Sequence, residues 1–350
     1  MKDNITIGMD LGDKNHIVVV LDADGNQIEC TSVINTKMSV KRFFKQYPGA
    51  KVAIEAGVHS PWISRLLKEL GCKVYVGNPY KLRVIWDSTD KSDERDARML
   101  AMVCRLEPKL LWPIRHRDIK SHNDLEVIKA RDILVQSRTK LINHVRSVVK
   151  TTGERLPKCS SASFASRVFN LLDASLLPAL NPLIYTIADL TDRIRELDRQ
   201  IKTMTLEHYP DTQVLQQVPG VGPVTALAYV LTIEDPSRFT KSRMVGPYLG
   251  LTPRQDQSGD TNKQLKITKA GNTYLRKLLV GCAHYIIGPF GPDSDLRHHG
   301  ISISARGGKN ARKRAAVAVA RKLSVLLHSL WVSKQVYVPL YKSYKFKKAA

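Results

Sequence analysis

Three short runs rich in β-branched residues open the chain, Ile5 to Leu11, His16 to Leu21 and Gln27 to Asn35, and only Gly12-Asp13-Lys14-Asn15 and Asp22-Ala23-Asp24-Gly25-Asn26 separate them. Both separators are turn chemistry, so these strands must be antiparallel neighbours. A helix over Ser39 to Gln46, a buried strand Val52-Ala53-Ile54-Glu55, a helix from Ser60 or Pro61 to Leu70, a strand Lys73-Val74-Tyr75-Val76 and a charged helix after Ser92 then follow. The order β-β-β-α-β-α-β-α predicts an α/β domain over residues 1–115, built on a mixed five-stranded sheet flanked by helices.

That order matches the ribonuclease-H-like fold, in which the first and fourth strands are neighbours, and the acidic residues converge on it. Asp10 lies near the end of the first strand, where the small Gly8 and Gly12 leave room. Glu55 ends an otherwise apolar strand. Asp93 and Asp96 are three apart on one helical face, behind Ser92 as N-cap and with Ala97, Leu100, Ala101 and Val103 on the apolar side. A solvated helix start favoured by the dipole accounts for such a pair alone. Four carboxylates around one cleft make a site for one or two Mg²⁺ ions that clamp a phosphodiester. Asp13, Asp87 and Asp90 compete, and their turn and loop positions explain them.

The formal charge is +23, from 55 Lys and Arg against 32 Asp and Glu, with a pI near 9.9. Such a field implies a polyanionic partner, nucleic acid or an acidic membrane surface. No run of 18 apolar residues exists and the first residues enter a strand pattern directly, so a soluble cytoplasmic protein with no membrane partner is expected. Cys30, Cys72, Cys104, Cys159 and Cys282 are scattered singly, without zinc-knuckle or disulfide-frame spacing.

From 116 to 211 the chain reads as a helical spacer. Leu125 to Lys150 is one long helical pattern, and Leu183, Ile187, Leu190, Ile194, Leu197, Ile201 and Met204 keep the 4-3 alternation of a coiled coil. Packing within a helical domain and packing against a second subunit both produce that seam; a spacer pair with a dimer contact is expected. Arg131, Arg138, Lys140, Arg146 and Lys150 on the earlier helix are expected to meet phosphate.

Residues 212–332 form a further, mainly helical domain. Pro219-Gly220-Val221-Gly222-Pro223 between two helical patterns resembles a helix-hairpin-helix, in which glycines let the backbone turn and a helix start offers N–H groups to phosphate. Gly250 to Asp260 reads as a loop. Ser258 precedes Gly259 there, which by itself signals only a turn. Arg254, Lys263, Lys266 and Lys269 surround it in sequence and, with Arg276, Lys309 and Arg312, are the candidate nucleic-acid contacts. A helix from Ala315 to Trp331 is apolar on most sides, hence packed on the core. In the tail, 333–350, Tyr337, Tyr341, Tyr344 and Phe346 interleave with lysines, which suits stacking on single strands and equally a disordered tail.

The segments Gly8-Met9-Asp10-Leu11-Gly12, Ile54-Glu55-Ala56-Gly57 and Lys91-Ser92-Asp93-Glu94-Arg95-Asp96-Ala97-Arg98 resemble the Asp-Glu-Asp-Asp domain of a family of bacterial insertion-sequence transposases, itself similar to that of Holliday-junction resolvases. The run from Val218-Pro219-Gly220-Val221-Gly222-Pro223 through Gly250-Leu251-Thr252-Pro253, Gln257-Ser258-Gly259 and Ile267-Thr268-Lys269-Ala270-Gly271-Asn272 resembles their second, serine-bearing domain. Together these cover roughly residues 5 to 330. The resemblance implies Asp10, Glu55, Asp93 and Asp96 as the acidic quartet holding Mg²⁺ and Ser258 as nucleophile. It also implies donor and target DNA as substrates, a bridge RNA from the element itself as guide, and a dimer or tetramer. The family often has Ser-Gly-Gly where this chain has Ser258-Gly259-Asp260. A metal-dependent junction nuclease using water is the alternative, and a non-catalytic nucleic-acid scaffold a third.

Overall fold

The structure, a computed structural model, describes residues 5–82, 92–258 and 261–341, with the backbone alone over 256–258 and 261–264. Two compact units divide the chain, Met1–Asp118 and Ile119–Ala350.

In the first unit β1 (Thr6–Leu11), β2 (Asn15–Leu21), β3 (Gln27–Ile34), β4 (Lys51–Glu55) and β5 (Lys73–Gly77) form one sheet in the order β3-β2-β1-β4-β5. The turn-linked pairs β1/β2 and β2/β3 are antiparallel, and the helix-linked pairs β1/β4 and β4/β5 are parallel. Helices α1 (Lys37–Phe44), α2 (Ser60–Glu69), α3 (Pro79–Leu82) and α4 (Asp93–Leu106) complete the unit. Strand alternation assigns the faces. Ile7, Met9, Val52 and Ile54 meet Val40, Phe44, Ile63 and Leu67 of α1 and α2 on one side. On the other, Ala53 meets Leu100, Val103 and Cys104 of α4, and Val19 and Leu21 meet Ala97 and Ala101. Each such large aliphatic side chain, fully buried, is worth about 1.5–3 kcal/mol.

The second unit is mainly helical: α5 (Ile119–Thr151), α6 (Phe164–Val168), α7 (Leu177–Thr203), α8 (Thr212–Gln216), α9 (Pro223–Ile233), α10 (Val245–Tyr248), α11 (Thr273–Ile287), α12 (Asp295–Ala305) and α13 (Ala311–Ser333). Long helices α5 and α7 run antiparallel. Arg131 Nε donates to Asp198 Oδ1 at 2.8 Å and Arg138, seven residues on, to Thr191 Oγ1, seven residues back, at 3.2 Å. The heptad residues Ile187, Ile194 and Ile201 are buried, so this seam packs within the chain. Phosphate contact by every arginine of α5 needs correcting. Arg131, Arg138 and Arg146 are half-buried braces, Arg146 donating to the carbonyls of Leu156 and Pro157; Lys140 and Lys150 remain exposed. The seven-residue spacing of the first two puts them beside the seam rather than on the outer face.

Helix α9 is buried from Thr225 to Ile233 and packs with Leu275, Leu279, Val319, Leu323 and Leu327 of α11 and α13. Helix α13 is long and apolar enough to cross a membrane by composition, yet more than half of that window is buried inside the unit, which is the expected core packing.

Two local expectations are overturned. The stretch expected as a loop carries a hairpin, β6 (Pro253–Ser258) and β7 (Thr261–Ile267). The sequence Arg-Gln-Asp-Gln-Ser has no apolar face to announce a strand, and among the described residues the hairpin is two-stranded and joins no larger sheet. Nor is the start of the tail free: the Tyr337 N–H donates to Gln217 Oε1 at 2.8 Å and the Pro339 carbonyl accepts from the Asp295 N–H at 2.9 Å. Tyr344 and Phe346 lie outside the described residues, as do Asp87, Asp90, Gly259, Asp260 and the side chains of Ser258 and Lys263.

Candidate active site

Asp10 sits next to the last residue of β1, the central strand. The parallel register pairs Gly8 with Ala53 and Met9 with Ile54, so Glu55, the last residue of β4, falls alongside Asp10. Gly8, Asp10, Ala53 and Glu55 share the face that α4 covers, as alternation requires. Helix and strand touch backbone to backbone: a Cβ on Gly8 would stand 1.9 Å from the Ala97 carbonyl oxygen and 2.5 Å from the Ala101 nitrogen. With Ala97 pinned over Gly8, the first turn of α4 lies over the strand end. Ser92 Oγ accepts from the Arg95 N–H at 3.3 Å and starts that turn, as expected of its N-cap.

Charge reports the same proximity. Burial first, then the charges of Asp93 and Asp96, push the Asp10 carboxyl above its ordinary pKa, and a hydrogen bond from the Leu11 backbone opposes them. Asp10 and Asp96 are half-buried and Asp93 is exposed. Among the described residues no three His, Cys, Asp or Glu side chains stand close enough together to hold a metal ion. The donor chemistry still fits a hard divalent cation: oxygen ligands only, held against their mutual repulsion, which a cation would relieve.

The sequence reading missed what surrounds this strand end. Asn35 Nδ2 donates to the carbonyls of Gly12 and Asp13 at 3.3 and 2.9 Å, fixing the turn that follows Asp10. Asp13 Oδ1, read as a turn acid only, stands 2.9 Å from His59 Nε2. His16 is buried 6.2 Å from the His59 ring, and burial holds its pKa below the usual value. Ser60 Oγ and His116 Nε2 are 2.9 Å apart. Histidines at a strand start and before a helix carry no one-dimensional signal of meeting.

In the second unit Ser258 is the last residue of β6, opposite Thr261 of β7. Gly220 and Gly222 are exposed ahead of α9; Gly220 has φ +89°, and a Cβ on it would stand 2.7 Å from Tyr285 Cδ1. Arg254, Lys266, Lys269, Lys309 and Arg312 are exposed. Arg276 departs from that group. It is 8 % exposed and donates from Nη1 to the carbonyls of Leu249 and Ala270, both at 2.9 Å, so it is a brace and not a surface contact.

Asp10 with Asp93 and Asp96 near it at one sheet end, in a chain of net charge +23, fits the class of enzymes that act on polynucleotide phosphates. Residues 7–153 match a transposase family of the DEDD, IS110 type, and residues 212–299 match the family described as Transposase IS116/IS110/IS902. The chain belongs to this family of insertion-sequence transposases and is a DNA transposase or recombinase. It is 28 % identical over 313 residues to a protein of Pseudomonas aeruginosa named "Probable family 20 transposase", covering 87 % of this chain and 90 % of the relative. With the transposase for insertion sequence element IS1111A of Coxiella burnetii it shares 24 % identity over 348 residues, 96 % of this chain and 92 % of that one. For the IS1328 transposase of Yersinia enterocolitica the identity is 26 %, over 80 % and 83 % of the two chains.

Proposed function

We propose that this transposase cuts and rejoins DNA by transesterification through Ser258, with Asp10, Glu55, Asp93 and Asp96 as the acidic set that holds Mg²⁺ in a ribonuclease-H-like domain. The observation that carries the reading is the set of like charges facing Asp10 on the α4 side of β1. Carboxyls perturbed by burial together with specific like-charged neighbours cluster at functional sites. Bound there, Mg²⁺ would offset the carboxylate charge and polarise a scissile phosphate.

Ser258 Oγ bonds to phosphorus as the strand's own P–O bond breaks; the serine proton passes to solvent and the departing sugar oxygen takes one up. One phosphodiester becomes one phosphoserine link, so a hydroxyl on another strand can reverse the step without ATP. Exposed Arg254, Lys266, Lys269, Lys309 and Arg312, with Lys263 and the N–H groups after Gly220 and Gly222, hold backbone phosphates. Those contacts read no bases. Sequence choice then falls to an element-encoded bridge RNA paired with donor and target DNA, and a dimer or tetramer accommodates two duplexes.

The test is a denaturing gel of labelled donor and target DNA incubated with protein, Mg²⁺ and the element's RNA. A protein-linked DNA band lost in both Ser258→Ala and Asp10→Ala is the expected result. Cutting without a linked band, retained by Ser258→Ala, assigns the attack to water and the enzyme to the nucleases.

A further inference from the structure

We infer that Arg276 is the positioning residue that aims the β6–β7 hairpin and thereby sets where Ser258 lies, an inference that rests on the reading of Ser258 as nucleophile. The hairpin leaves the core through a narrow neck. The Lys269 N–H donates to the Gly250 carbonyl at 3.1 Å and the Thr268 N–H to Thr252 at 2.9 Å, closing it. Its two legs meet backbone to backbone: a Cβ on Gly250 would lie 2.2 Å from the Ala270 carbonyl oxygen, and one on Gly271 2.1 Å from that of Tyr248. Gly250, Lys269 and Gly271 all take positive φ, at +66°, +57° and +74°.

Into this neck α11 sends one guanidinium. Arg276 Nη1 donates to Leu249, on the incoming leg, and to Ala270, on the outgoing leg, while Nη2 donates to Thr273 Oγ1 at 3.1 Å. Burying a cation is expensive, and an apolar side chain fills such a space at lower cost. What the planar fork adds is a fixed angle between both legs and α11. Beyond the neck Arg254, Gln255, Leu265 and Lys266 are exposed, so these four residues add little packing to aim the hairpin.

Leverage makes that angle matter. From Pro253 to Ser258 a strand reaches about 17 Å, so a pivot of about 5° at the neck moves the tip by about 1.5 Å. A nucleophile displaced by about 1 Å can lose about 100-fold in rate.

The test compares full-length wild type, Arg276→Ala, Arg276→Lys and Ser258→Ala. Adduct formation at saturating DNA, DNA affinity by anisotropy and thermal melting are measured for each. Arg276→Ala is expected to lose about 100-fold in adduct rate with unchanged DNA affinity, and free guanidinium ion is expected to restore part of that rate. Arg276→Lys, which keeps the charge without the fork, is expected to fall between Arg276→Ala and wild type, and it decides the matter if Arg276→Ala does not fold. A folded Arg276 variant with the wild-type adduct rate, or one whose rate loss is matched by lost affinity, overturns the inference. If Ser258→Ala still cuts as wild type does, it is the nucleophile assignment that has failed.

Discussion

Asp10, proposed above as a metal-holding residue, carries a cost to its own fold. Its pKa is raised by burial and by Asp93 and Asp96, so the native state holds the proton more firmly than the unfolded chain does. The sign follows: its contribution to stability falls as pH rises through the window between the unfolded and folded pKa values, and at neutral pH the ionised group is a burden. Asp10→Asn is therefore expected to melt higher than wild type in metal-free buffer at neutral pH, while losing activity. Adding Mg²⁺ is expected to raise the wild-type melting temperature and to leave Asp10→Asn almost unmoved. A variant that melts lower, or one that responds to Mg²⁺ as wild type does, contradicts this account. At this scale the sequence disclosed a good deal: Asp10 and Glu55 interrupt apolar runs, and an interruption is visible in one dimension. Arg276 was not legible as a brace, because a helical arginine looks the same whether it faces water or two carbonyls.

The decisive contact between elements is α4 on β1. Gly8 has no space for a methyl group, because the obstacle is the backbone of Ala97 and Ala101. Gly8→Ala is expected to push the helix away and cost about 2–3 kcal/mol, with a larger loss of activity than of stability as Asp93 and Asp96 move with it. Gly57→Ala, where nothing lies within 4 Å, is the control, expected to leave the denaturation midpoint unchanged. The order of strands and helices in the first unit was readable because turns and crossovers dictate direction and alternation dictates face. The β6–β7 hairpin was not, since Arg-Gln-Asp-Gln-Ser and Thr-Asn-Lys-Gln offer no alternating apolar pattern. Its one visible sign was Gly259-Asp260 between two runs of similar length, a two-residue hairpin dipeptide.

For the molecule as a whole, the net charge of +23 makes nucleic-acid affinity steeply salt-dependent. Each phosphate neutralised contributes about −0.9 to the slope of log K against log salt on duplex DNA. Single alanine substitutions at the exposed Lys266, Lys309 and Arg312 are expected to flatten that slope by about one unit each, whereas Lys140→Ala, remote from them in sequence, tests whether α5 also touches DNA. An unchanged slope in all of the first three removes them from the interface.

The antiparallel pair α5/α7 has two separate apolar clusters: one near its base, containing Leu125, Ile128, Ile201 and Met204, and one near its far end, containing Ile142, Val145, Val149, Leu180, Ile184 and Ile187. At about 1.5 Å per residue α5 is about 50 Å long. Because the seam repeats every seven residues and each end carries its own core, the arm behaves as a ruler with heptad graduations. Removing one matched heptad from each helix between the clusters shortens it by about 10 Å without disturbing either end. Chains of this build can thus change their reach by deletion and duplication alone, a freedom of size that the backbone contact between Gly8 and α4 denies to the carboxylate-bearing unit.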